Sequence, residues 1–229
     1  MLRNIYMQNQ RAELQWRSGD VPVSTRFDDP YFSLDDGLAE ARHVFLQGND
    51  LPDRFADGFE IGELGFGTGL NMLAAWAAWE QSGRTTPLGF TSFEAYPMTL
   101  PDMVRALSHF PELAEWCDRF FVAFSSEARS CDLPTLRFRL IVGDARERLP
   151  DWTGSADAWF LDGFSPAKNP ELWGADLMSE VARHSRPAGT AATYSAAGFV
   201  RRNLELAGFS VLRAPGYGRK RHMTLAHRI

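Results

Sequence analysis

The chain is poor in several things that would each have assigned a function. Only two of its 229 residues are cysteine, Cys117 and Cys131, with no C-x-x-C pair and no histidine near either at ligand spacing. A disulfide framework and a zinc site are therefore not expected, and two buried, reduced thiols in a cytosolic protein are. The five histidines are scattered, which argues against a metal centre. No apolar run approaches the ~20 residues that span a bilayer, and the N-terminus shows no basic-then-apolar leader pattern. Internal repeats and low-complexity tracts are absent. Net charge is −5, which disfavours a general polyanion binder. Its distribution qualifies that exclusion. Residues 201–229 carry seven Lys/Arg against one acid, leaving −11 on residues 1–200. A basic C-terminal patch on an acidic body can meet a polyanion through that patch alone, or can be a solvated terminal strand.

What the chain does have is a glycine loop. Residues 59–76 read as a strand-like run, then Glu63-Leu64-Gly65-Phe66-Gly67-Thr68-Gly69, then an apolar helical pattern. Glycines at 65 and 67 remove side chains that would keep a ligand from the backbone. A helix starting near Gly69 aims its unpaired N–H groups at the same place. A dinucleotide fingerprint has its third glycine three residues after the second. Here it comes after two, with an acid two residues before the first glycine. That acid suits a cationic ligand without phosphate, and S-adenosylmethionine carries an ammonium and a sulfonium. No Walker lysine follows the loop, so a nucleoside triphosphate is not expected.

The rest alternates strand and helix. Strands are expected at 58–64, 88–94, 137–143, 156–161, 190–194, 210–213 and 222–227, and helices at 70–81, 100–107, 176–184 and 197–207. Such alternation predicts a mostly parallel seven-stranded sheet with helices on both faces, its last strand antiparallel after the Pro215-Gly216 turn. Residues 1–55 read as a cap, with a hairpin turning at Ser18-Gly19-Asp20 and a helix opened by Asp35-Asp36-Gly37, set before a domain at 56–229.

In open α/β sheets, ligands lie beyond the carboxyl ends of the strands, so the residue closing each strand matters. The second strand ends in Glu94-Ala95, where a carboxylate can accept from both ribose hydroxyls. The third ends in Asp144-Ala145, an acceptor and a backbone N–H for an adenine edge. The fourth ends in Asp162. Any one of these acids is as readily a helix cap; four strand ends bearing glycine or acid in order point to an adenosine-type ligand. Candidate cofactor-binding residues are Glu63, Gly65, Phe66, Gly67, Thr68, Gly69, Asn71, Glu94, Ala95, Asp144, Ala145 and Asp162.

The same residues carry a family resemblance. Tyr31-Phe32-Ser33, Asp36-Gly37-Leu38, the loop through Asn71, residues 160–170 (Phe-Leu-Asp-Gly-Phe-Ser-Pro-Ala-Lys-Asn-Pro), Trp173, residues 193–201 and Gly216-Tyr-Gly-Arg-Lys-Arg221 together resemble one family. It is the methyltransferase domain of the bifunctional tRNA 5-methylaminomethyl-2-thiouridine biosynthesis proteins, MnmC. The resemblance covers nearly the whole chain. It implies a three-layer, Rossmann-like class I methyltransferase fold and S-adenosylmethionine as cofactor. The implied substrate is the 5-aminomethyl group of the wobble uridine in the anticodon region of tRNA. It does not carry over FAD or oxidase chemistry, because the family's FAD-dependent oxidase domain has no counterpart in these 229 residues; the chain reads either as a stand-alone methyltransferase, with the oxidase on a separate protein, or as a domain cut from a longer protein.

Under that reading Asp162 is the catalytic candidate, a fixed carboxylate beside the amine on which positive charge develops. It is a poor base: an alkyl amine near pKa 10.4 and an aspartate near 3.9 differ by ~6.5 units, roughly 9 kcal/mol. Tyr31, Phe164 and Trp173 are candidates to stack on a flipped-out base. Lys168, Arg219, Lys220 and Arg221 are candidates for phosphate contacts. Two rivals use the same frame: aminopropyl transfer to a polyamine, with Asp35, Asp36 and Asp162 holding an amine, and a non-catalytic cofactor-binding subunit.

Overall fold

The computed structural model describes residues 11–17, 20–33, 36–124 and 127–229. Ser18, Gly19 and Asp35, which figured in the expected hairpin turn and helix start, lie outside the described residues.

An eight-stranded sheet forms the centre. Its strands are β4 (Glu60–Leu64), β5 (Leu88–Glu94), β6 (Ser130–Leu133), β7 (Leu136–Val142), β8 (Ala156–Leu161), β9 (Ser185–Thr193), β10 (Phe209–Pro215) and β11 (His222–Arg228). Their order is β10-β11-β9-β8-β4-β5-β7-β6. The five strands from β9 to β7 are parallel neighbours, and β11 runs antiparallel to both β9 and β10. The expected antiparallel last strand is therefore present. The eighth strand was not expected. β6 is four residues long and pairs antiparallel with β7 at the sheet edge. Only Cys131 of it is buried, so its sequence has no apolar alternation to display.

The period-two alternation of the strands sends neighbouring side chains to opposite faces, and each face builds its own core. On β8, Ala158 and Phe160 enter one apolar cluster, while Trp159 and Leu161 enter the other. The first face is covered by α1 (Gly37–Ala41), α2 (Leu70–Gln81), α3 (Leu100–Leu107) and α4 (Ala114–Ala123), and the second by α5 (Ala145–Arg148), α6 (Ala175–Arg183) and α7 (Gly198–Leu206). The result is three layers. Helix α2 is apolar all round, with Trp76 and Trp79 fully buried, as fits a helix pressed against the middle of a sheet. Helix α4 was missed because its buried side consists of only Cys117 and Phe120.

At the N-terminal end, β1 (Leu14–Arg17), β2 (Val21–Ser24) and β3 (Asp29–Pro30) form a small antiparallel sheet. Asp36 caps α1 by accepting from Ala39 N at 2.8 Å. The helical path then continues as a π turn over Arg42–Leu46 and a 3-10 turn over Gln47–Asn49. Leu38, Val44, Phe45, Leu51 and Phe55 pack into the same core as β4 and α2.

Both cysteines are buried and free, and burial pushes each thiol up to about 11. Among the described residues no helix is long and apolar enough to cross a membrane.

The strand order fixes where a ligand can sit. The chain runs from β4 outward through β5 to β7, then returns to place β8 on the other side of β4. The crevice between the carboxyl ends of β4 and β8 is thus the switch point, where such sheets bind ligands. Those two ends are Leu64-Gly65 and Leu161-Asp162, joined by Asp162 N donating to Leu64 O at 3.0 Å.

Candidate active site

The glycine loop leaves β4 at Gly65 and enters α2 through Gly69. Gly65 and Gly69 have φ of +91° and +85°, a region that side chains with a Cβ rarely occupy. At Gly65 space forbids a side chain as well, because a Cβ would collide with the Asp162 carbonyl oxygen. Two bonds moor the loop to β5: Gly65 N donates to Phe93 O at 2.8 Å, and Gly67 N to Glu94 Oε2 at 3.0 Å. Glu94 Oε1 accepts from Tyr96 N at 2.8 Å. Burial raises the Glu94 carboxyl above its ordinary value, and these backbone donors oppose the shift.

Beneath the loop sits a chain of polar groups. Asn71, on the first turn of α2, donates to Asp162 Oδ2 at 2.6 Å and to Glu63 Oε1 at 3.0 Å. Ser92 Oγ donates to Glu63 Oε2 at 2.6 Å. Glu63 is fully buried, and burial drives its carboxyl well above the ordinary range, with Asp162 and Glu94 adding to the rise. Burial also raises Asp162, to about 7; the Asn71 hydrogen bond and the Lys220 charge act in the opposite direction.

These groups open onto a cavity of about 790 Å³, within the range of small-molecule and cofactor sites. Its walls include Gly65, Phe66, Gly67, Thr68 and Asn71 from the loop, and Glu94, Ala95, Asp144, Ala145 and Asp162 from three further strand ends. The residues expected to surround a nucleoside are thus brought together. Two of the expected set stand back from the walls. Glu63 lies under the loop and acts through Asn71, and Gly69 serves as the left-handed cap of α2. Asp144 is partly a cap: its Oδ1 accepts from Arg146 N at 2.9 Å, and its carboxylate pairs with the Arg146 guanidinium. Burial works against that charge, but the Arg146 contacts outweigh it and hold the carboxyl below its usual range.

Another wall is aromatic. Tyr31 and Phe164 line the cavity with their rings edge to face at 5.0 Å, and Phe27, which the sequence did not single out, stacks on Phe164 at 4.7 Å. Burial raises the Tyr31 phenol above its ordinary value, and the nearby Glu94 charge adds to the rise. Trp173 is a correction. Its ring is 1% exposed, packs edge-on to Tyr194, and donates from Nε1 to Phe164 O at 3.0 Å. It props the loop from behind and offers no face to a base.

Of the basic residues, Arg219 and Lys220 line the cavity, whereas Arg221 is exposed outside it. Lys168 is also outside, where it bonds Asp28 and lies 3.7 Å from Asp29 Oδ1, tying the 163–170 loop to the N-terminal sheet. Sequence reasoning missed Glu40, Tyr194 and Asp29, all on the walls. Tyr194 stood in a quoted motif and so had a signal; Glu40 and Asp29 had none. Among the described residues, no group of three metal-ligating side chains is suitably placed.

The residues present fit S-adenosylmethionine: acids at successive strand ends, a close-approach glycine loop and a cavity of nucleoside size. Comparison with known proteins agrees. Over 229 aligned residues, covering 95% of this chain, it is 46% identical to the tRNA 5-methylaminomethyl-2-thiouridine biosynthesis bifunctional protein MnmC of Stutzerimonas stutzeri. The chain spans 35% of the length of that relative, about a third. The crystal structure of MNMC2 from Aquifex aeolicus superposes with a TM-score of 0.73 at 26% identity, covering 96% of this chain and 71% of that one. Spermidine synthase from Thermotoga maritima shares the fold alone, with a TM-score of 0.55 at 9% identity over 96% of this chain and 73% of that one. A model of S-adenosyl-L-methionine-dependent methyltransferases matches residues 110–229, more than half of the chain. With β7, β8 and the Asp162 edge inside that match, and the glycine loop packed directly against that edge, the chain belongs to the S-adenosyl-L-methionine-dependent methyltransferases.

Proposed function

We propose that this chain methylates the amine of the 5-aminomethyl group on the wobble (2-thio)uridine of tRNA, giving 5-methylaminomethyl-2-thiouridine. One observation carries the reading. An acid that closes a strand, Asp162, is locked by Asn71 at the point where the glycine loop, the aromatic pair Tyr31–Phe164 and the basic segment Arg219–Lys220 converge on one cavity. The name of the MnmC relative, a tRNA 5-methylaminomethyl-2-thiouridine biosynthesis protein, supports it. The polyamine rival rests on a shared fold at 9% identity, against 46% for the tRNA relative.

S-adenosylmethionine would be held by the glycine loop, Glu94 and the Asp144–Ala145 edge, and would supply a methyl group on a sulfonium whose demethylated product leaves as a neutral thioether, while the proton of the amine passes to water. Asp162 orients the amine and balances the positive charge that grows on nitrogen. Burial at about 7 narrows its gap to an alkyl amine, leaving about 3.4 units or about 5 kcal/mol. The carboxylate therefore remains a weak base for an ammonium, and a neutral amine is the species that attacks. Tyr31 and the uncovered face of Phe164 hold the uridine ring, Arg219 and Arg221 meet the RNA backbone, and residues 11–55 cap the site. The working compartment is the cytoplasm, and the second activity of the bifunctional relatives falls to a partner protein or segment outside this chain.

Incubation with methyl-labelled S-adenosylmethionine and tRNA bearing 5-aminomethyluridine tests the reading. Label in the RNA at that nucleoside is the expected result. Label on a polyamine precursor, or cofactor binding with no transfer, overturns it.

A further inference from the structure

Glu40 on α1 and Lys220 in the β10–β11 turn meet inside the cavity. Lys220 Nζ lies 2.7 Å from Glu40 Oε1, with side chains 44% and 12% exposed, so the lysine reaches inward from the mouth to a mostly buried acid. The same ammonium sits 4.1 Å from the centre of the Tyr194 ring. That ring is fixed, because its hydroxyl donates to Gly163 O at 2.6 Å, one residue beyond Asp162. The charges of Lys220 and Glu40 are both felt at Asp162. A carboxylate beside an aromatic face is the contact set that binds a protonated primary amine. Here it holds one supplied by the chain itself.

We infer that Glu40 and the face of Tyr194 form a docking subsite for the acceptor's ammonium, from which the amine reaches Asp162 after losing its proton to water, and that Lys220 fills this subsite as a stand-in until the substrate's ammonium displaces it. The inference rests on amine methylation as the chemistry and names the residues that select for it. One alkylammonium replaces another, so occupancy changes without stranding the charge of Glu40. The lysine is the half-exposed partner, 44% against 12% for Glu40, so it can swing out to water at the mouth as the incoming ammonium takes its place. The subsite takes a primary amine on a short flexible arm and rejects an arm ending in a carboxylate, which would face Glu40 with like charge. Lys220 is thereby removed from the phosphate-contacting set expected from the sequence. It becomes a positioning residue that keeps Glu40 and Tyr194 in receptive geometry.

The test titrates the full chain with ethylammonium chloride, followed by NMR, at constant ionic strength, with and without S-adenosylhomocysteine. Wild type should bind ethylammonium weakly. Lys220→Ala should bind it at least tenfold more tightly, and Lys220→Ser repeats the measurement should the alanine variant fold poorly. Adding Glu40→Gln to either background should abolish the gain. A Lys220 variant that folds but binds no tighter than wild type overturns the inference, as does a gain that survives Glu40→Gln. The titration needs neither RNA nor turnover, so it decides the subsite whether or not tRNA proves to be the substrate.

Discussion

Asn71 Nδ2 donates to Asp162 Oδ2 across 2.6 Å, joining the first turn of α2 to the end of β8 beneath the glycine loop. Asn71 also bonds the fully buried Glu63, so one amide orders two acids that would otherwise repel. An amide suits the position because it donates to both carboxyls without adding charge.

Asp162→Asn should remove most turnover and leave cofactor affinity nearly unchanged, read by single-turnover transfer and by calorimetry with S-adenosylhomocysteine. The same variant has a stability signature. Asp162 titrates near 7 in the folded chain, above its ordinary value of 3.8. The folded chain therefore keeps a proton that the unfolded chain has lost between those values, and stability falls as pH rises through that window. The full effect is at most about 4 kcal/mol. Asp162→Asn should raise the thermal midpoint of the cofactor-free protein at pH 8 and leave it nearly unchanged at pH 4. Equal shifts at both pH values would count against the raised carboxyl.

Gly65→Ala should weaken cofactor binding by tenfold or more. The new Cβ meets the Asp162 carbonyl oxygen, and φ of +91° is strained for alanine. Relief requires the loop to move away from β8. Unaltered affinity by calorimetry would show that the loop is not pinned at this point.

Trp173→Phe should lower stability by about 1 kcal/mol through the lost hydrogen bond to Phe164 O. It should not alter how RNA affinity depends on the target base. A selective loss for the modified uridine would restore Trp173 to the stacking set.

Replacing Arg219 and Arg221 together by Ala should flatten the dependence of tRNA affinity on salt, reducing the slope of log K against log salt by about 1 to 2. Filter binding across a salt series measures it. An unchanged slope would place the RNA backbone elsewhere.

Local pattern was enough for much of this molecule. The apolar sweep of α2 and the strands β5 and β8 could be bounded to the residue, because buried parallel strands and a buried helix write long uninterrupted signals. The glycine spacing and the acids at 94, 144 and 162 singled out residues that the fold gathers on the walls of one cavity. Weak elements escaped, and the reason is physical. β6 buries one residue, so nothing in its sequence marks it as a strand.

What the chain order could not decide was which side chains face each other. Glu63 reads as a ligand-facing acid and is in fact sealed under Asn71, because strand alternation alone does not say which face a loop will cover. Trp173 reads as an exposed platform and is a buried prop. Glu40 and Lys220 lie at opposite ends of the chain and carry no shared motif; only the packing of α1 beside the β10–β11 turn makes them a pair. Sequence settles the elements and the row of glycines and acids along one sheet edge, since those follow from local periodicity and backbone sterics. Tertiary structure decides which residues share the remaining cavity walls, since that depends on distances between residues the chain keeps far apart.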